Sequence, residues 1–571
     1  MPRTRPSSRT MPATRPAPRP ATRPALGALA TLAVAVGLSG CATSAGGGTE
    51  GGDGADGTRV VLADAQPLGG YNPVNGYGEL GVSPLYDGLL RPASSGDDRL
   101  PDLEPALAAE APAVSADSTV WDVTLREGVT FSDGTGLDAA DVVATYEAVL
   151  DPASASEVAG ASRMIASVAA TDDRHVRFTL KHPYSAFASR LTLGIAPSER
   201  LDGGPARDSA LNTEPVGTGP YRLARLDAGQ AVFTANPDYW DGAPQVTELV
   251  TLSLPDDNAR AQRVRAGDVD GTVLPPVLAA SFEDQAGLRV QSVHTADWRG
   301  VSLPVENAFA GDPAAREAMN VAVDRDTIVD GVLAGHGSPA ATPVSAVYGD
   351  AFAADAAFPF DRERAERLLD DAGWHVAADG VRARDGERAA FDLYYLASDS
   401  LRRDMAAAFA ADMATIGVEV TLRGGDWPEL DQHLTDAAIL LGGGERPYDL
   451  DTQLYDVLHT RSADTSPYDN PGDVEIPGVD AQLVRARASL DADERAAAYR
   501  AVQEAYVQHP THVFLAFVEH TYVTQDDDGA DGADGADGAD GDGWDRGPLV
   551  LEPHAHGVSW GPWWHVAGWR R

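Results

Sequence analysis

The sequence predicts a mixed α/β protein of two lobes, on three observations. The chain of 571 residues is longer than one compact core supports. Stretches with period-two alternation and stretches with helical periodicity succeed one another along most of its length. With 43% hydrophobic and 23% charged residues, the composition is that of a folded globular protein, with biased segments confined to short runs.

The elements follow in order. Val60-Val61-Leu62 opens the folded part as a strand, and Val120–Leu125 and Val176–Leu180 alternate as half-buried strands do. Asp138 can cap a helix whose Val142, Val143, Tyr146, Val149 and Leu150 share one face, stopped by Asp151-Pro152. A helix is expected from Asp361 to Ala372, ending at Gly373. Ser400 opens another, with Met405, Phe409, Met413 and Ile416 in one apolar stripe, closed by Gly417 before the alternating Val418–Leu422. A methionine stripe at this spacing is packed core rather than a soft-metal site. A last helix, from about Asp493 to Gln508, ends before Pro510 and leads into His512–Val518, read as a buried strand.

The N-terminus reads as an export signal. Arg3, Arg5, Arg9, Arg15, Arg19 and Arg23 precede the apolar run Ala25–Leu38, which is too short to span a bilayer permanently. Leu38-Ser39-Gly40-Cys41 resembles the bacterial lipobox, in which cleavage precedes a cysteine that receives the lipid. The expectation is therefore a signal peptide over 1–40, a lipid anchor on Cys41 and a flexible Gly-rich tether over 41–57, on the outer face of the cell membrane. Cys41 is also the single cysteine, so intrachain disulfides and multi-cysteine metal centres are excluded.

The formal charge of −42 and the absence of a basic block beyond the N-terminus argue against nucleic acid. The single lysine, Lys181, leaves no Walker loop, and neither G-x-S-x-G nor H-E-x-x-H occurs. His509, His512 and His520, and separately His554, His556 and His565, fall near one another in sequence, and His512 reads as a structural histidine at the start of its strand. Residues 526–542, a Gly-Ala-Asp repeat, read as a disordered acidic loop without EF-hand spacing. No enzyme and no cofactor are expected.

Eight segments resemble, in the same order, recurrent blocks of the family 5 extracellular solute-binding proteins that serve oligopeptide, dipeptide and nickel importers. They are Leu85–Leu90 (LYDGLL), Leu103–Ala108 (LEPALA), Leu125–Gly134 (LREGVTFSDG), Leu137–Val142 (LDAADV), Pro215–Tyr221 (PVGTGPY), Asn236–Trp240 (NPDYW), Arg316–Arg325 (REAMNVAVDR) and Ala365–Trp374 (AERLLDDAGW). Gly217 and Gly219 read as residues supplying permissive torsions in a turn, and Asn236-Pro237 as a turn ahead of buried Tyr239 and Trp240.

The resemblance implies a periplasmic-binding-protein type II-like fold, two α/β lobes closing by a hinge on a ligand cleft. Lobe I would comprise 58–85, 205–297 and 522–571, an extra subdomain 86–204, and lobe II 298–521. It further implies a monomer that captures di- or oligopeptides and passes them to an ABC permease with its ATPase subunits. The alternative is a nickel or metal-chelate binder of the same importer family.

Peptide-binding members hold the peptide amine with an acidic residue of the second lobe. The local match is Arg446-Pro447-Tyr448-Asp449-Leu450-Asp451, following Gly442-Gly443-Gly444, which makes Asp449 or Asp451 the candidate. A helix N-cap is the competing reading of the same aspartates. Tyr71 after the first strand, Trp298 and Arg299 at the expected lobe crossing, and Trp427 are further cleft candidates, each equally plausible as packing. Nickel-type members carry a histidine that would fall near Ser462; His459 stands three residues earlier.

Overall fold

A computed structural model of the protein describes residues 58–93, 100–444, 448–461, 470–526 and 566–569. The expected export signal over 1–40, Cys41, the expected tether, Arg446, Ser462, the Gly-Ala-Asp run after Asp526, and His554, His556 and His565 lie outside the described residues. Among the described residues no helix is long and apolar enough to cross a membrane.

Two sheets organise the fold. The first has seven strands, in the order Leu288–Val293, His520–Gln525, Gly271–Leu274, Thr58–Asp64, Val246–Ser253, Gln230–Ala235 and Tyr221–Asp227. Thr58–Asp64 is at its centre and runs parallel to both neighbours. Its buried Val60, Leu62 and Ala63 are what a two-sided environment requires of a parallel strand. The second sheet has six strands, in the order Gly337–Pro339, His512–Val518, Trp298–Ser302, Ala438–Gly443, Ala390–Leu396 and Glu419–Gly425. His512–Val518 is buried along its whole length.

The chain passes between the sheets twice, through His294–Asp297 and through Glu519 alone. The first-lobe segment expected to resume at residue 522 therefore resumes two residues earlier, because His520 already pairs with Val293 in the first sheet.

A four-stranded sheet, Ala113–Val114, Val120–Thr124, His175–Leu180 and Ile165–Asp172, packs with the helix Ala139–Leu150 onto the first lobe and shares its core. Asp138 caps that helix in a capping box with Asp141. Tyr146 then meets Phe178 edge to face at 4.9 Å and donates its hydroxyl to the Arg190 carbonyl at 2.7 Å, fixing a residue that reaches the cleft.

The helix Ser400–Thr415 buries Met405, Phe409 and Met413 as its stripe requires, but its cap is Asp399, not Ser400. The Asp399 carboxylate accepts the Arg402 N–H and places negative charge at the positive end of the helix. Arg362–Asp371 is capped by Asp361, and Ala492–Gln508 by Asp491.

Three of the sequence blocks converge on Asp87. Its carboxylate accepts from Thr218 (3.1 Å), Tyr239 (3.0 Å) and Trp240 (2.9 Å). Burial pushes the Asp87 carboxyl up to about 6 in spite of these bonds. Gly217 and Gly219 serve the same junction, though not through left-handed torsions, which neither adopts. They are needed because a Cβ at either position would fall 2.1 Å or 2.4 Å from the Leu85 backbone. Gly219→Ala is therefore expected to destabilise the protein by about 1–3 kcal/mol in urea denaturation; a change below roughly 0.5 kcal/mol would contradict the close-approach reading.

Candidate functional site: the cleft between the lobes

A cavity of about 680 Å³ lies between the subdomain and the second lobe. The lobes meet around it. Tyr448 donates its hydroxyl to the Leu80 carbonyl at 2.8 Å, Ser185 Oγ donates to the Ala486 carbonyl at 3.3 Å, and the Arg487 guanidinium lies 5.1 Å from the Tyr184 ring centre. These contacts join elements far apart in sequence and define a closed arrangement.

One wall is built at the end of the strand Ala438–Gly443. Trp298 is paired with Gly443 across the sheet, and a Cβ at Gly443 would lie 2.5 Å from its indole nitrogen. Gly442 likewise leaves room for the guanidinium groups of Arg299 and Arg402. The glycine run thus lets large donor-bearing side chains lie against the backbone. Trp298 is 3% exposed, stacks edge to face on Phe514 at 5.0 Å, and has a buried Nε1–H with no acceptor among the described residues. Trp427 lines the cavity 5.8 Å from the Arg402 guanidinium and is 39% exposed.

The opposite wall comes from the helix Leu450–Leu458 and the subdomain. Asp451 is 1% exposed and held by Arg487 in a two-bond pair, Nε to Oδ1 at 2.9 Å and Nη2 to Oδ2 at 2.7 Å, with Arg487 also 3.2 Å from the Tyr455 ring centre. One turn on, Asp456 lines the cavity and accepts no hydrogen bond among the described residues. Burial raises its carboxyl pKa and the Asp451 charge adds to this, against the opposing charges of Arg163, Arg190 and Arg487. Arg190 has a buried Nε–H with no acceptor among the described residues.

The sequence candidates thus separate. Trp298, Trp427 and Asp451 line this cavity. Arg299 turns away from it to pair with Asp297, and Tyr71 lines a neighbouring cavity. Tyr448 bridges the lobes, and Asp449 faces another cavity, beyond Tyr448. Asp449 is the N-cap of Leu450–Leu458, accepting the Asp451 N–H at 2.7 Å. Asp449 and Asp451 are therefore already engaged, one by a helix end and the other by a guanidinium. His459 stacks on Tyr455 at 4.2 Å, outside the cavity lining. His512 lines the cavity but is 2% exposed, and burial pushes it down to about 4, so its ring is neutral.

Asp456, Arg163, Arg190, Arg402 and Arg487 were not singled out by sequence. The available signal was the i, i+4 pair Thr452 and Asp456, opposite the buried Leu450, Leu454 and Leu458, a pattern that normally marks a solvated helix face.

Comparison with known proteins agrees with this architecture. The family model of bacterial extracellular solute-binding proteins, family 5 (middle), matches residues 102–465, and the chain belongs to this family of ABC-importer substrate-binding proteins. Protein XP55 of Streptomyces lividans is 40% identical over 500 residues, covering 87% of this chain and 90% of its own. The oligopeptide-binding protein AppA of Bacillus subtilis is 28% identical over 325 residues, 55% of this chain and 60% of its own. The crystal structure of NikZ from Campylobacter jejuni in complex with Ni(L-His) superimposes with a TM-score of 0.75 at 25% identity, over 90% of this chain and 99% of that one.

Burial raises the Asp449 carboxyl to about 6, and the nearby Asp451 charge adds to the shift. The folded state then holds its proton more tightly than the unfolded chain, so the stability associated with Asp449 grows as pH falls from above 6 toward 4. Asp449→Asn keeps a capping oxygen and removes the charge. Its melting temperature is expected to exceed that of the wild type by more at pH 7.5 than at pH 5; a difference independent of pH would contradict the assignment.

Proposed function

We propose that this protein is the extracellular substrate-binding component of a bacterial ABC importer, anchored by lipid on Cys41, that captures peptides in the cleft and delivers them to the membrane permease. The observation that carries the peptide reading is the charge arrangement of the cavity. With Asp451 and Arg487 neutralising each other and Arg402 paired with Asp399, its wall still presents Arg163 and Arg190 together with Glu157 and the Asp456 carboxylate. A ligand bearing both an ammonium and a carboxylate answers both signs, and a volume of about 680 Å³ accommodates several residues. The similarity to the oligopeptide-binding AppA supports the same class. In this reading the protein acts by binding and release.

In this reading the peptide amine is met by Asp456, in place of Asp449 or Asp451, whose carboxylates are engaged within the fold. An ammonium arriving at a half-buried carboxylate without hydrogen bonds gains a charge-assisted contact while displacing little existing structure. Trp298 Nε1 and the guanidiniums take the peptide's carbonyl and carboxylate oxygens. A second reading, capture of a metal chelate, is supported by the likeness to the nickel–histidine complex of NikZ and by His182 on the cavity wall.

Calorimetric titration of the mature protein with a tripeptide and with its N-acetylated form tests the amine position. Asp456→Asn should weaken the free-amine peptide about tenfold or more, equivalent to about 1.4 kcal/mol, and leave the acetylated peptide nearly unaffected. Equal losses for both peptides would rule out Asp456 as the amine partner.

A further inference from the structure

A second cavity of about 440 Å³ adjoins the cleft, and Glu157 lines both. It lies in the first lobe at the carboxyl end of two parallel strands. Asp64 is the last residue of Thr58–Asp64, and Thr251, near the end of Val246–Ser253, is in register with Leu62. This edge is where open α/β sheets present ligand-facing groups.

The chemistry of the wall is one-sided. Three carboxylates, Asp64, Glu79 and Glu157, line it, and no lysine, arginine or histidine stands among its described lining residues. The same wall carries aromatic rings. Tyr71 meets Tyr77 edge to face at 5.0 Å and Phe233 at 6.0 Å. Carboxylates combined with aromatic faces suit an organic cation.

Independent of the acidic groups, Thr251 is 4% exposed and its hydroxyl has no hydrogen-bond partner among the described residues. A buried hydroxyl left this way has a cost that a donor entering the cavity would relieve. Asp64 is 6% exposed and accepts the Gln66 N–H at 3.1 Å. Burial raises its carboxyl pKa against that hydrogen bond and the Arg260 charge.

We propose that this cavity is a subsite for a basic side chain of the captured ligand, with Asp64, Thr251 and the faces of Tyr71 and Phe233 receiving a lysine ammonium or arginine guanidinium. The inference rests on the peptide reading of the cleft. Its shared wall at Glu157 allows a side chain to enter from a backbone held in the larger cavity. The protein then selects peptides by charge at one position, while the remaining side chains stay in the larger cavity.

The test is calorimetric titration with tripeptides carrying lysine at each position in turn, each matched by norleucine, which keeps the alkyl stem and removes the ammonium. At one position lysine should bind at least about tenfold tighter than norleucine. Asp64→Asn should abolish that preference and leave norleucine peptides unchanged. Thr251→Val, nearly isosteric and so the safer variant for folding, should reduce it severalfold. Equal affinities for lysine and norleucine at every position, or equal losses for both in the variants, would overturn the subsite while leaving peptide capture intact. Failure of every peptide to bind would overturn the peptide reading and the subsite with it.

Discussion

The arrangement depends on a two-stranded ribbon that belongs to both sheets. Leu288–Val293 becomes Trp298–Ser302 after four residues, and His512–Val518 becomes His520–Gln525 after one. The two chains are antiparallel neighbours on both sides of the crossing, Val293 opposite His520 and Trp298 opposite Phe517. Between them Thr295 donates its hydroxyl to the Val518 carbonyl at 2.6 Å, and the Val518 N–H donates to the Asp297 carbonyl at 2.8 Å. Asp297 is held from both lobes, by Arg299 and by His520 Nε2 at 3.3 Å. Burial acts to raise its carboxyl, but the Arg299 charge and the His520 bond outweigh this and hold it at about 2. Connections this short allow the lobes to bend about the ribbon and leave little freedom for sliding.

Given that ribbon, the cleft forms from whatever the two sheets and the subdomain present toward each other. The second sheet contributes Trp298 and the glycine run; the subdomain contributes Arg163 and Arg190, the latter steadied by the Tyr146 hydroxyl. The Asp451–Arg487 pair lies on the same wall with Tyr184 and Tyr455 against its guanidinium. Such a pair shapes the wall without adding net charge to it, and Asp456 and Glu157 are the carboxylates of the described lining that stand outside it.

Much of the fold was legible because it rests on local rules. The capped helix after Asp138, the methionine stripe from Met405 to Met413 and the buried strand from His512 each follow from spacing and capping. The family blocks were legible as well, and their physical meaning appears in Asp87, where three of them meet. The glycines of one block were read as turn residues, although what they provide is space against Leu85, a contact between segments over 130 residues apart that no local pattern shows.

The cleft was less legible for the same reason. A Tyr-Asp sequence directed attention to the helix Leu450–Leu458, which lines the cavity, yet whether Asp449, Asp451 or Asp456 faces that cavity depends on the partners each finds in distant elements. Asp451 meets Arg487, 36 residues on, and Asp449 turns to its own helix end. The central claim, that this closed cleft takes peptides, is tested most directly by thermal denaturation of the protein from Thr58 onward with di- to octapeptides, with nickel and histidine, and with small sugars, since a ligand that binds only the native state raises the midpoint. Stabilisation by peptides and by neither of the other sets is the expected result; stabilisation by the nickel–histidine mixture alone would contradict it and transfer the cleft to metal-chelate capture.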